Sequence, residues 1–183
     1  MRKVNAVELV SLDGVMESPE GWAFAYSNDE MEETNASGMA ASDALLLGRV
    51  TYEHLAAYWP HQPGGEPMVD YINSVPKYVV STTLEEAGWN NSTIIKENIT
   101  EGISQLKRQP GKDITVLGSG VLVRSLLRDR LLDELRLMVH PLILGSGKRL
   151  FEDGDDREPL ELIDSRTFGT GVVYLTYRPT DEG

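Results

Sequence analysis

The stretch that most constrains this fold is Ile114–Leu127, which reads ITVLGSGVLVRSLL. Its first four residues are mostly branched and apolar and predict a buried strand, whereas the leucines and valines after Gly120 recur at helical spacing. A strand that ends in glycine and opens directly into a helix leaves backbone N–H groups without partners, and the helix dipole favours an anion beside them. The stretch therefore predicts either a phosphate site or an ordinary strand–helix turn, because Gly-Ser-Gly is shorter than a full dinucleotide-binding motif.

Two further strands end in residues that suit an anion. A buried strand at residues 43–47 is followed by Gly48 and Arg49, where a helix begins. The next strand along the chain ends in the hydroxyl residues Ser81 and Thr82. In open α/β sheets, ligands collect at the carboxyl ends of the strands. Donors at three strand ends therefore favour the phosphate interpretation over a chance turn.

Strands alternate with helices along most of the chain, and two strands close it. The predicted strands are 4–10, 43–47, 77–81, 92–96, 113–117, 133–140, 160–168 and 172–178, and the helices between them include 29–41 and 68–75. Asn98 and Glu101 have the spacing of a capping pair at the start of another helix. This pattern predicts one three-layer α/β/α domain over residues 1–183, with a mixed, mainly parallel sheet and a C-terminal antiparallel hairpin.

Composition excludes several classes of function. The chain has 17 basic and 29 acidic residues and a net charge of −12, which argues against nucleic acid and anionic membranes as partners. It has no cysteine, so thiolate catalysis and cysteine-bound zinc are excluded, and its three histidines lack metal-ligand spacing. The cysteine and histidine observations together predict a protein that binds no metal. Since no apolar run is long enough for a signal peptide or a membrane span, we also expect a cytoplasmic protein.

Aromatic and acidic residues near the N-terminus are the candidates for substrate contacts. The segment 17–28 carries Trp22, Phe24 and Tyr26, and aromatic side chains in such a loop cover either the core edge or a flat ligand. Asp13 precedes Gly14, a common turn pair, so turn chemistry explains it as well as a functional role does. The acids that follow the loop at the start of a helix either stabilise the helix dipole or include one that faces a pocket.

Five segments, taken in order, resemble the dihydrofolate reductase fold family, in particular the branch that includes the reductase domain of bacterial riboflavin biosynthesis. They are SLDG at 11–14, DALLLGRVTYE at 43–53, VST at 80–82, VLGSG at 116–120 and VHPLILGSG at 139–147. The resemblance covers nearly the whole chain. It implies a reductase that transfers a hydride from NADPH to a small, heterocyclic substrate, either pterin-like or pyrimidine-like. The riboflavin branch also suggests a homodimer.

The resemblance further implies which residues bind the cofactor and the substrate. Those implied for the phosphates and the adenosine of NADPH are Gly48, Arg49, Thr51, Ser81, Thr82 and Lys96, with Gly118, Ser119, Gly120, Val121 and Leu122 at the pyrophosphate. Those implied for the remainder of the site are Leu9 and Met16 near the nicotinamide, Trp22 and Phe24 at the substrate, and Asp13 and Glu30 as catalytic acids. Arginine suits bidentate phosphate contacts, and hydroxyl groups complete such a site.

Two departures separate the chain from the substrate sites of this family. In a folate reductase one carboxylate of the first helix binds the pterin ring, and here Asp29, Glu30 or Glu33 could each take that place, or none could. The riboflavin branch has a lysine on its first strand and an arginine before its second strand, where this chain has Val7 and Met39. The residues implied for the cofactor therefore match the family better than the residues implied for the substrate. A non-catalytic nucleotide- or ligand-binding protein is the alternative, because fold does not determine function.

Overall fold

One eight-stranded sheet runs through the middle of the molecule. The computed structural model describes residues 1–180. The strands are β1 (Val4–Ser11), β2 (Ser42–Gly48), β3 (Lys77–Val80), β4 (Ser92–Ile95), β5 (Asp113–Leu117), β6 (Glu134–His140), β7 (Leu160–Thr167) and β8 (Val173–Pro179). Their order across the sheet is β4-β3-β2-β5-β1-β6-β8-β7, and within residues 1–180 β8 runs in the direction opposite to the other seven strands. The predicted mixed sheet with its C-terminal hairpin is confirmed.

Helices cover both faces of this sheet. They are α1 (Asp29–Ala41), α2 (Arg49–Tyr58), α3 (Pro67–Ser74), α4 (Ile99–Arg108) and α5 (Gly120–Arg128). Helices α4 and α5 pack on one face through Ile103, Leu122 and Leu126, whereas α2 and α3 pack on the opposite face through Tyr52 and Ile72. Helix α1 lies on the same side as α3. These layers confirm the predicted three-layer α/β/α architecture.

The central strands are buried on both faces, which explains their continuous apolar sequences. In β2, Ala44 and Leu46 join the core under α4 and α5, while Leu45 and Leu47 join the core under α2 and α3. Because alternate side chains of a strand point to opposite faces, a run such as ALLL satisfies both layers only in the centre of a sheet. Strand β7, in contrast, lies at the edge of the sheet and is exposed over nearly its whole length.

The eight predicted strands and the helices predicted at 29–41 and 68–75 begin and end within two residues of the predicted positions, but one predicted cap is wrong. Asn98 has a φ of +48° and its side chain makes no capping bond, because a side-chain cap requires extended backbone at that position. Glu101 instead accepts hydrogen bonds from Gln105 and Arg108. The predicted domain includes residues 181–183, which lie outside the described residues. Within residues 1–180, no helix has the length and apolar character needed to cross a membrane.

Candidate functional site

The starts of α2 and α5 meet where the parallel strands have their carboxyl ends, which we call the carboxyl edge of the sheet; the amino edge is the opposite side, where these strands begin. Strands β2 and β5 are adjacent and parallel, and Leu46 pairs with Val116, so Gly48 at the end of β2 lies beside Gly118, which follows β5. A Cβ atom on Gly48 would lie 2.5 Å from Ser119 Oγ, and one on Gly118 would lie 2.8 Å from Thr51 Oγ1. Glycine at both positions therefore allows the two turns to pack against each other.

Backbone donors at the start of α5 are left without acceptors. Ser119 has a left-handed backbone with φ +59°, its Oγ accepts a hydrogen bond from the Leu122 N–H, and its carbonyl accepts one from the Val123 N–H. The N–H groups of Gly120 and Val121 have no backbone or side-chain acceptor among the residues that the structure describes. Helix α2, unlike α5, begins without a side-chain cap in the part of the chain that the structure describes. The positive ends of two helix dipoles therefore meet at the Gly48 and Gly118 turns, and this positive potential favours the binding of an anion.

A buried glutamate lies beside the turn that precedes α5. Glu8 on β1 is only 3% exposed, and the pairing of Val7 with Leu117 places Glu8 next to Gly118. Glu8 Oε1 has no hydrogen-bond partner within residues 1–180. Burial raises the pKa of Glu8 to about 8, and a hydrogen bond from the Gly118 backbone offsets part of the rise. Glu8 is therefore mostly protonated at neutral pH.

Glu8 is not among the site residues predicted from the sequence, although the pattern of its strand contains a signal for it. Val4, Ala6 and Val10 lie on one face of β1, and all three are buried. Glu8 occupies the same face two residues after Ala6, because a strand repeats every two residues. A carboxyl group in an otherwise apolar period-two row is a buried-polar signal. The signal from Glu8 is lost when β1 is taken as one continuous apolar run.

The residues predicted for the adenosine and its 2′-phosphate follow one another along the same edge. Strands β2, β3 and β4 are neighbours, so Arg49, Ser81 and Lys96 follow successive strands, spaced about 4.8 Å apart in the sheet. Arg49 pairs with Glu53 at 2.9 Å, and Lys96 pairs with Glu85 at 3.3 Å. Both ion pairs are solvent-exposed and hence weak, so either cation can exchange its partner for a phosphate group.

The two predicted hydroxyl residues after β3 differ in their surroundings. Ser81 is buried, and its Oγ accepts hydrogen bonds from the N–H groups of Thr83 and Leu84. Ser81 therefore holds the turn in shape. Thr82 is exposed on the same turn, and its hydroxyl is the one that solvent or a ligand can reach.

The two residues predicted near the nicotinamide lie in different layers. Met16 packs against the start of α5, with its Sδ 3.0 Å from the position that a Gly120 Cβ would occupy. Leu9 packs on the α1 side of the sheet, beside the cluster that contains Met31 and Phe168. The structure therefore brings Met16, but not Leu9, to the glycine turn.

The aromatic loop covers a buried histidine at the end of β6. Trp22 and Tyr26 approach the His140 ring edge-on, with centroid distances of 5.2 and 5.6 Å, whereas Phe24 is 69% exposed. His140 Nδ1 lies 2.9 Å from the carbonyl oxygen of Met138 and therefore carries the proton. Burial lowers the pKa of His140, which keeps the ring neutral, and Nε2 has no partner within the described part of the chain.

Asp13 connects two loops at the carboxyl edge. Its carboxylate accepts hydrogen bonds from Ser11 Oγ at 2.6 Å and from the N–H groups of Gly145 and Leu144 at 2.9 and 3.1 Å. In that order, these donors lower the pKa of Asp13 to about 2. Asp13 stays ionised at neutral pH and fastens the loop after β6 to the turn after β1. This geometry favours a structural role over that of a proton donor.

Glu30 is held in a similar way at the start of α1. Its carboxylate accepts hydrogen bonds from the Gly169 N–H at 2.6 Å and from Asn28 Nδ2 at 2.9 Å, which together lower its pKa. These contacts join α1 to the turn between β7 and β8. Glu30 and Glu33 also line a cleft of about 620 Å³ between α1 and the β6-β8-β7 part of the sheet. The glycine turns do not line this cleft.

The strand order and the closing hairpin define an α/β domain of the dihydrofolate reductase type. Within that class, the chain belongs to the family described as the RibD C-terminal domain, whose profile matches residues 2–174. The predicted resemblance to the riboflavin branch is thereby confirmed. No group of histidine and acidic side chains within residues 1–180 has the arrangement of a metal site.

Relatives cover almost the entire chain. The uncharacterised Bacillus subtilis (strain 168) protein YyaP is 35% identical over 172 residues, which span 92% of this chain and 90% of that protein. A candidate riboflavin biosynthesis protein from Shewanella sp. PV-4 has a similar structure, with a TM-score of 0.76, 21% identity and coverage of 97% and 99% of the two chains. A diaminohydroxyphosphoribosylaminopyrimidine deaminase/5-amino-6-(5-phosphoribosylamino)uracil reductase from Thermotoga maritima has a TM-score of 0.67 and 14% identity, over 98% of this chain and 57% of that one. These two structures show the shared fold.

Proposed function

We propose that this protein is an NADPH-dependent reductase that transfers a hydride to a small heterocyclic substrate of pyrimidine or pterin type. The observation that carries the proposal is the meeting of the α2 and α5 helix starts, with Arg49 and Lys96 beside them on the same sheet edge. Family membership supports it, since the Thermotoga maritima relative is named as a uracil-derivative reductase.

The donors at this edge fit a dinucleotide that carries an additional phosphate. The unpartnered N–H groups of Gly120 and Val121 suit a pyrophosphate, because backbone donors at a positive helix end bind anions without a long side chain. Arg49 and Lys96 lie farther along the edge, where their charges suit a 2′-phosphate. NADPH, when bound, supplies the hydride.

The protein's own residues have three tasks in this proposal. Arg49 leaves its exposed pair with Glu53 and holds a phosphate, so that the nucleotide has one orientation. Trp22 and Tyr26 keep water away from the end of β6. Positioning of this kind lowers the barrier by fixing the reacting groups in one geometry. Asp13 and Glu30 are ionised, so neither donates a proton at neutral pH, and water is the simplest source.

The first test compares nucleotide affinities of Arg49→Ala with those of a matched control. Arg108→Ala is that control, because Arg108 also forms an exposed ion pair with a glutamate but lies on α4. A hydrogen bond between charged groups contributes about 1.5–3 kcal/mol, so fluorescence titration of Arg49→Ala should show at least about tenfold weaker NADPH binding. NADH affinity should stay unchanged in both variants. Failure of the wild type to bind either nucleotide would contradict the proposal.

The second candidate is a binding protein without turnover. It is favoured by the contacts of Asp13 and Glu30, since both predicted catalytic acids are engaged in holding loops. NADPH oxidation followed by absorbance, with reducible pyrimidines and pterins as substrates, separates the two. Tight NADPH binding without oxidation on any of these substrates would favour the binding protein.

A further inference from the structure

Glu8 is a buried carboxyl group that no part of the proposed mechanism uses. It lies beside the Gly118–Gly120 turn, and one of its oxygens has no hydrogen-bond partner within residues 1–180. A buried polar atom without a partner is uncommon in folded proteins and requires a reason. The N–H groups of Gly120 and Val121, which follow Gly118 in the same segment, also have no acceptor within residues 1–180. The carboxyl group and the donors are therefore two parts of one site.

Among residues 1–180, the structure places no charged group where it neutralises the charge of Glu8. Ala6 and Val10 flank it on β1, and Leu137 pairs with it on β6, so its strand neighbours are apolar. Among the described residues of the neighbouring helices, α5 carries Arg124, which binds the Leu150 carbonyl and Asp155, and Arg128, which pairs with Asp129. The first turn of α2 carries Arg49, which pairs with Glu53. None of these arginines is hydrogen-bonded to Glu8.

We propose that Glu8 is a positioning residue of the anion site, and that its protonation state decides how tightly the Gly118–Gly120 turn binds a diphosphate. In the neutral form, the carboxyl group leaves the positive potential of the α5 helix start undiminished. In the ionised form, it places a negative charge beside the turn, which repels an anionic ligand and offsets the positive potential of the helix start. This inference rests on the proposed function, because it assumes that the turn binds the pyrophosphate of NADPH.

The raised pKa of Glu8, about 8, places this change in the alkaline range. NADPH binding can be measured in this range without interference from the titration of the ligand. The second ionisation of a phosphate monoester has a pKa of about 6, so NADPH keeps a constant charge above about pH 7. A loss of affinity between pH 7 and 9.5 would therefore report on the protein.

The test is a fluorescence titration of NADPH, repeated with inorganic pyrophosphate as competitor, at about pH 7 and about pH 9.5. The variants are Glu8→Gln, which keeps the shape of the side chain but cannot ionise, and Glu161→Gln, a matched control on the exposed strand β7. For the wild type and Glu161→Gln we expect the Kd of NADPH to rise at least about fivefold at the higher pH. For Glu8→Gln we expect a Kd that changes by less than about twofold and equals the wild-type value at about pH 7.

The outcomes separate this inference from the proposed function. If the wild type and Glu8→Gln both bind NADPH and lose affinity equally at alkaline pH, the role of Glu8 is wrong and the proposed function stands. If neither NADPH nor pyrophosphate binds the wild type at neutral pH, both proposals are wrong.

A measurement on the wild type alone covers the case in which Glu8→Gln does not fold. Binding and protonation are linked reciprocally, so a fivefold effect on affinity means that saturating NADPH raises the pKa of Glu8 by about 0.7 pH unit. Carbon-13 NMR of the Glu8 carboxyl group, titrated with and without NADPH, measures this change. An unchanged midpoint would overturn the inference.

Discussion

The amino and carboxyl edges of the sheet differ in how their charged side chains and backbone donors are paired. At the amino edge, Arg2 pairs with Asp43, Lys3 bonds to Glu134 at 2.8 Å, and Lys107 bonds to Asp133 at 2.6 Å. At the carboxyl edge, backbone donors at the start of α5 and one oxygen of Glu8 have no partner within residues 1–180. Asn5 Oδ1 and Ser92 Oγ, near the amino ends of β1 and β4, also lack partners within residues 1–180. The contrast therefore rests on the ion pairs of the amino edge and on the free helix-start donors of the carboxyl edge, which suit an anionic ligand. The amino edge holds the fold together, and the carboxyl edge is prepared for binding.

The largest expected effect is a loss of folding stability when the Arg2–Asp43 ion pair of the amino edge is removed. Arg2 is only 8% exposed, and besides its pair with Asp43 it donates to the Lys112 carbonyl. Removing one member of a buried ion pair costs about 3–5 kcal/mol, and the partial exposure of Asp43 places the expected loss for Arg2→Ala near about 3 kcal/mol. Urea unfolding measures this loss. NADPH affinity of the folded variant should remain within about twofold of wild type, and a larger change would contradict the separation of the two edges.

The next effect comes from Gly118→Ala at the carboxyl edge. Gly118 has φ +65°, and the new Cβ would lie 2.8 Å from Thr51 Oγ1, so the turns after β2 and β5 must separate. We expect NADPH binding to weaken about a hundredfold, equivalent to about 2.7 kcal/mol, by calorimetric titration. Gly154→Ala is the matched control, because Gly154 also has a positive φ, +93°, but its Cβ would meet nothing within 4 Å. Equal losses of affinity in the two variants would show that backbone strain, and not the contact of the turns, is responsible.

A smaller effect is expected for Lys96→Ala at the far end of the edge. Lys96 is exposed, and Glu85 is its one ion-pair partner within residues 1–180, so its contribution to a phosphate contact is about 0.2–1 kcal/mol. NADPH affinity should fall by about 1.4-fold to fivefold at low salt and by less at high salt, while NADH affinity stays constant. An equal loss for both nucleotides would place the 2′-phosphate elsewhere.

The smallest effect on activity is expected for Asp13→Asn, which tests whether Asp13 is structural. The pKa of Asp13 is lowered from 3.8 to about 2 in the folded state, so its carboxylate stabilises the fold above about pH 4. This contribution is lost as the pH falls through about 2, and the variant should lack that part of the acid transition. NADPH oxidation should change by less than about threefold. Abolished oxidation with unchanged NADPH affinity would return Asp13 to a catalytic role.

The fold and the glycine turns were predictable because their signals are local. The ALLL run of β2 and the ITVLGSG segment each contain the strand, its end and the helix start within a few residues, and the structure places both as predicted. The roles of Asp13 and Glu30 depend on Gly145 and Gly169, each more than 130 residues away in the chain. No local pattern reveals such contacts. Glu8 lies between these cases, since its own strand shows that it is buried but not that the Gly118 turn lies next to it.

Amide hydrogen exchange with and without NADPH tests the difference between the two edges most directly. We expect NADPH to protect the amides of residues 48–51 and 118–122 and to leave those near Arg2, Asp43 and Asp133 unchanged. Protection requires donors that lack a partner in the free protein, and those donors lie at the starts of α2 and α5. Protection confined to the cleft between α1 and β8, or no protection anywhere, would contradict the assignment of the carboxyl edge as the nucleotide site.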